Sequence, residues 1–218
     1  MKITIHRGTD QVGDCVTEYE SNGWKLFVDY GEQLPGTSTV KKPLKIDGLT
    51  CGNVSHSALL ITHYHGNHIG KIADLPQTLP MFIGKMAKDI LSKFAEYIGY
   101  ISDEYLRIKE RLETALTFSP YQELEFGDFK IMPVVVDHSA FVAYAFRIEA
   151  GGIKEFHTGD FHTHGFRSKK LPRVIENFIG KVNYMVCEAT NVIQPDATAL
   201  SEHKLQGKLK CNKLHICT

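Results

Sequence analysis

Along the first thirty residues, apolar and polar side chains alternate in short runs. KITIHR (2–7) alternates, CVTEYE (15–20) follows Gly13-Asp14, and WKLFVDYG (24–31) follows the turn pair Asn22-Gly23, which predicts three strands. A loop rich in Gly, Pro, Thr and Lys (32–48) leads to SALLIT (57–62), the short apolar run of a buried strand. HIGKIADL (68–75) reads as the start of a helix and MFIG (81–84) as a short strand. Between residues 85 and 116 the period lengthens. Ile90, Leu91, Phe94 and Ile98, then Tyr105, Ile108, Leu112 and Leu116, recur every three to four positions, predicting two core-packing helices divided near Gly99.

Strand patterns resume in FKIMPVVVD (129–137), VAYAFRIEA (142–150) and IKEFHTGD (153–160), the last two separated by the turn Gly151-Gly152. RVIENFIG (173–180) predicts a helix after Pro172, and VNYMVCEAT (182–190) a buried strand. Strands in both halves with helices between them imply two sheets covered by helices, an α/β (α+β) chain. Residues 208–218, KLKCNKLHICT, show neither a helical face nor strand alternation, so a frayed tail is expected over 201–218.

Composition narrows the partners. Lys plus Arg and Asp plus Glu both number 25, so nucleic acid or an anionic membrane would have to be met by a local patch. No apolar run reaches the roughly 18 residues of a membrane span, and the first residues lack the apolar core of a secretory signal. Five cysteines without a CxxC pair favour reduced thiols and a cytoplasmic location.

The chemistry concentrates in ITHYHGNHIG (61–70), where His63, His65 and His68 crowd directly after a strand. Neutral imidazoles at a strand-to-loop junction suit Zn²⁺ or a similar borderline ion. Other strand ends carry ligand-type side chains: Asp29, then Asp137 with His138, then His157 with Asp160. Several strands delivering His and Asp to one edge would build a metal-hydrolase site.

The order of FVDYG, THYHGNH, DHS, HTGDF and CEATN resembles the metallo-β-lactamase superfamily, and more narrowly its ribonuclease J and β-CASP branch, over residues 2–191. The resemblance implies a four-layer αββα sandwich occupying residues 1–200, incomplete at its C-terminus because a further metal-binding histidine and the branch's inserted domain find no match. It implies that His63, His65 and His138 hold one metal, that His68 and position 67 hold a second, and that Asp160 bridges both, with Zn²⁺ as the ion, one or two, and Mn²⁺ or Fe²⁺ as alternatives. Asp29 would fix the orientation of a ligand histidine, and Glu188 would assist proton transfer. RNA or another phosphodiester is the implied substrate, and an exposed sheet edge would favour a homo-oligomer.

One residue departs from the pattern. Where the family motif HxHxDH has aspartate, this chain has Asn67, a neutral and poorer ligand that cannot act as a base. A weaker second site and impaired activity follow. A small-molecule ester, thioester or lactone hydrolase and a non-catalytic metal-binding remnant are the competing readings.

Overall fold

The structure, a computed structural model, describes residues 1–34, 36, 42–190 and 201–211. Two sheets lie face to face. The first has six strands in sequence order: β1 (Lys2–Arg7), β2 (Val16–Ser21), β3 (Trp24–Val28), β4 (Ser57–Leu60), β5 (Met81–Gly84) and β6 (Leu116–Phe118). β1 to β3 pair antiparallel, and β3 to β6 run parallel. The second sheet holds β7 (Leu124–Phe126), β8 (Phe129–Val136), β9 (Ala143–Ala150), β10 (Ile153–His157) and β11 (Tyr184–Val186), antiparallel except for the β10–β11 pair.

Side-chain alternation explains the layers. Phe27, Leu59 and Ile83 face outward and pack against Ala87, Leu91 and Ala95 of α2 (Lys85–Ile98) and Ile108 and Leu112 of α3 (Asp103–Glu113). Their strand neighbours Leu26, Val28, Ala58 and Leu60 point the other way, meeting Phe129, Ile131, Tyr144 and Phe146 between the sheets. Ala143 and Ala145 of β9 face the opposite side, where Ile179 and partly buried Val174 and Phe178 cover them. Those covering residues belong to α4 (Leu171–Val174) and the π-helical turn Ile175–Ile179 that continues it. Strands buried on both faces need near-continuous apolar sequence, which SALL supplies. The result is the αββα sandwich.

Several local expectations are corrected. HIGKIADL yields only a single turn, α1 (Gly66–Ile69), and a 3₁₀ turn at Ile72–Asp74. Leu116 continues the helical period, yet it lies in β6, opposite Phe82, because α3 ends at Glu113 and the chain completes the parallel sheet. The short strand β7, a hairpin partner of β8, was not visible in the alternation. β11 is not buried: it pairs only with β10 among the described residues, leaving Tyr184 and Met185 58% and 60% exposed. Within the expected frayed tail, Glu202–Cys211 forms a helix, α5. The Glu202 carboxylate accepts a hydrogen bond from Phe166 N (2.8 Å), and the His203 and Phe166 rings lie 4.5 Å apart, so contacts with a distant loop supply what periodicity lacked.

Candidate metal centre

β3 and β4 are parallel, and β8 and β10 run in the same direction within the second sheet, each antiparallel to β9. The residues just after these strands are Asp29, the 61–68 loop, Asp137-His138 and Thr158-Gly159-Asp160. At that end the sheets are stitched together by Tyr144 N donating to Thr62 O (3.0 Å). Sequence-distant side chains therefore converge at one edge.

Two overlapping donor sets result, His63–His65–His138 and His63–His68–Asp160, each with its ligand atoms within 4.8 Å of one another. His65 Nδ1 is 3.2 Å from both His63 Nε2 and His138 Nε2. His68 Nε2 is 3.2 Å from Asp160 Oδ2, which lies 3.8 Å from His138 Nε2. Ligands about 2.05 Å from a tetrahedral zinc stand about 3.3 Å from each other, so the imidazole spacing matches a coordination edge. The donor chemistry fits as well. Burial, aided by the neighbouring imidazoles, pushes His63 far below the ordinary histidine range, and burial also lowers His65 and His138, leaving lone pairs free at neutral pH. His68 behaves oppositely. Burial alone would depress it, but Asp29 and Asp160 outweigh that and raise it to about 10. The neutral set His63, His65 and His138 fits a borderline divalent cation, and His68 with Asp160 fits one once a cation takes the place of the His68 Nε2 proton.

Behind the donors lies a fixed frame. Asp29, in the left-handed region at φ 62°, accepts hydrogen bonds from Thr62 N (2.8 Å), from Thr62 Oγ1 (2.7 Å) and from His68 Nδ1 (2.7 Å). Thr62 Oγ1, whose proton goes to Asp29, is 3.0 Å from His63 Nδ1 and accepts that ring's N–H. Both rings are thereby held with Nε2 toward the site. Thr62 is wholly buried and went unnoticed in the sequence, where it reads as the end of an apolar strand. Tyr64 was also missed; its hydroxyl accepts from Phe141 N (2.9 Å), tying the His138 loop to the histidine loop.

Other candidates lie nearby without joining the donor sets. Asn67 stands on α1 with its backbone carbonyl accepting from Cys15 N (3.3 Å). Glu188 lines a cleft with His68 and Asp160, and its carboxylate accepts from Thr190 N (2.9 Å), capping its own loop. His157 turns inward, its Nδ1 2.9 Å from Tyr19 Oη, and burial lowers its pKa to about 4. His162 stacks on His164 (4.4 Å) and lies 3.7 Å from Glu202 Oε1. Arg167 Nη1 donates to Phe141 O (3.2 Å), three residues beyond His138, with its guanidinium over the Phe141 ring.

No protein-family model matches the chain. Among curated proteins it is similar to ribonuclease J of Mycolicibacterium smegmatis (24% identity over 204 residues) and of Mycobacterium tuberculosis (25% over 206), each alignment covering 89% of this chain and 35% of the relative. A shorter segment of 74 residues is 32% identical to the atrochrysone carboxyl ACP thioesterase dmxR1 of Cryptosporiopsis, covering 34% of this chain and 22% of that one. Among solved structures, a protein of unknown function from Enterococcus faecalis V583 superposes on 96% of this chain and 56% of its own at a TM-score of 0.79 with 18% identity. The metallo-β-lactamase fold protein YhfI of Bacillus subtilis aligns over 79% of this chain and 66% of its own, at 20% identity and a TM-score of 0.49. The two sheets with their outer helices form an αββα sandwich of the metallo-β-lactamase type, its edge lined by imidazoles and a carboxylate. In sequence the chain is similar to ribonuclease J, and it spans about a third of the length of those relatives.

Proposed function

We propose that the chain is a metal-dependent hydrolase of phosphodiester bonds, with RNA as the natural class of substrate. The observation that carries this reading is the pair of overlapping donor sets sharing His63 at the edge of the sandwich. An ion of the zinc class, or Mn²⁺ or Fe²⁺, would when bound polarise a phosphoryl oxygen and lower the pKa of water.

The chain's own residues do the rest. His63, His65 and His138 hold the first ion, and Asp29 and Thr62 fix the rings. His68 and Asp160 address a second position, where Asn67 contributes one negative charge fewer than a carboxylate and leaves binding weaker. Glu188, at the mouth of the same cleft, exchanges a proton with solvent or the leaving group. Arg167, held beside the His138 loop, draws the polyanion toward the edge. The likeness to ribonuclease J over most of the chain supports RNA, and the exposed β11 edge supports association with a second copy.

Metal content by elemental analysis, combined with turnover of bis-p-nitrophenyl phosphate and a single-stranded RNA oligonucleotide, tests the reading. One or two equivalents with turnover of both supports it. Turnover confined to carboxylic esters or thioesters would favour the small-molecule reading, for which the apolar cavity beside His65 speaks. Metal without turnover of any of these would leave a metal-binding remnant, for which Asn67 speaks.

A further inference from the structure

A cavity of about 420 Å³ opens between α1, α2 and α3, and His65 forms part of its wall. Its volume falls in the range of small-molecule sites. Most of the lining is apolar: Ile69, Ile90, Leu91 and Ile108, with the rings of Tyr64, Phe94 and Tyr105. Phe94 and Tyr105 meet edge to face at 5.5 Å, and Phe94 remains 49% exposed. A helix pair that only closed a core would be expected to fill such a space with its own side chains.

The charged side chains of the lining are acidic. Glu32 and Glu104 both contribute, and Glu104 has Lys71 3.6 Å away. Glu32 lies flat across α1 at two glycines. A Cβ on Gly66 would sit 2.3 Å from Glu32 Oε1, and one on Gly70 2.8 Å from Glu32 Cδ. The two glycines of HGNHIG thus make room for this carboxylate at the cavity wall. An anion entering the cavity would meet the Glu32 carboxylate, with Lys71 offsetting only Glu104 among the described residues, whereas an apolar group would meet aromatic and aliphatic surface.

We propose that this cavity binds an uncharged, apolar organic group, aromatic or branched aliphatic, and that in the hydrolase it receives the substituent next to the scissile bond while the phosphoryl group stays at the histidine edge. The role in substrate selection rests on the hydrolase reading; the binding of an apolar group does not. Discrimination then comes from this substituent: the uncharged aromatic face of a nucleobase is accepted there, and a small or charged group is not.

The test is a titration of ¹⁵N-labelled protein with 2-naphthol and with naphthalene-2-sulfonate, its anionic counterpart. Saturable shifts with 2-naphthol at the amides of Leu91, Phe94 and Ile108, at least tenfold tighter than any sulfonate effect there, are expected. Ile90→Trp, which fills the cavity, should weaken naphthol binding at least tenfold. If that variant fails to fold, Phe94→Ala, which removes an exposed wall, should weaken binding at least threefold. Unsaturable shifts, shifts confined to other elements, or equal binding of the sulfonate at these amides would overturn the proposal. Turnover of bis-p-nitrophenyl phosphate by a protein that does not bind naphthol would remove the cavity's role and leave the hydrolase standing. Naphthol binding without turnover would do the reverse.

Discussion

His68 Nδ1 lies 2.7 Å from Asp29 Oδ2, joining a helix turn to a strand end 39 positions earlier in the chain. The same oxygen accepts the Thr62 hydroxyl, so one buried carboxylate orients two of the clustered imidazoles, His68 directly and His63 through Thr62. Asp29→Asn replaces an acceptor-only group with one that presents donors to two donors. Zinc affinity, measured by competition with a chromophoric chelator, should fall about 10- to 100-fold while far-UV circular dichroism stays unchanged. Undiminished affinity would show that the rings are held by other contacts.

Thr62→Val preserves shape but removes the hydroxyl that accepts from His63. A wholly buried N–H left without a partner costs about 1–3 kcal/mol. The thermal midpoint should drop by about 3–10 °C, with a smaller loss of zinc affinity than in Asp29→Asn. A calorimetric scan of the metal-free protein reads the first effect separately from the second.

Asn67→Asp restores a carboxylate beside His68. The added negative charge offsets repulsion between two dications, so metal content should rise toward two equivalents and phosphodiester turnover should rise at least tenfold. Elemental analysis of both proteins loaded in parallel decides this. Equal stoichiometry would show that the charge at position 67 does not control the second site.

Gly31→Ala tests how tightly the Asp29 loop packs against α1. A Cβ there would lie 1.7 Å from the backbone oxygen of Asn67, and backbone atoms cannot rotate away. The helix turn carrying His68 must shift, so a loss of more than about 2 kcal/mol in stability and a parallel loss of zinc binding are expected. Normal stability by urea unfolding would contradict the close approach.

Glu155 is fully buried, and burial pushes its carboxyl up to about 8 despite the amide of Val186 donating to it. An unfolded glutamate titrates near 4.3. The protonated carboxyl therefore contributes its full stability below about pH 4.3, and the contribution is lost as pH rises through about 8. Glu155→Gln keeps a neutral acceptor and should melt about 5 °C or more above the parent at pH 9, with the difference shrinking toward pH 5. A pH-independent difference would mean that Glu155 does not titrate in this window.

Much of the sandwich was legible in the sequence because its strands are buried on one or both faces. The apolar run SALL follows from that burial, as the helical period of residues 85–112 follows from packing one face of α2 and α3 on the sheet, whereas KITIHR alternates although its strand leaves Ile5 exposed. The candidate donors were legible for a different reason: several imidazoles crowded directly after an apolar strand offer lone pairs of the kind a divalent cation takes. What the sequence could not supply was anything that depends on a partner distant along the chain. Thr62 looks like any β-branched strand residue until Asp29 and His63 are seen on either side of it. Gly66 and Gly70 carry no signal of their own until Glu32 lies across them, and α5 has no helical face until Phe166 meets it. β11 read as buried because its composition is apolar, and only its place at the sheet edge exposes it. Residue type and local period determine which elements form and which atoms can bind a cation. The distances between those atoms are set by the register of two sheets, which no local stretch of chain encodes.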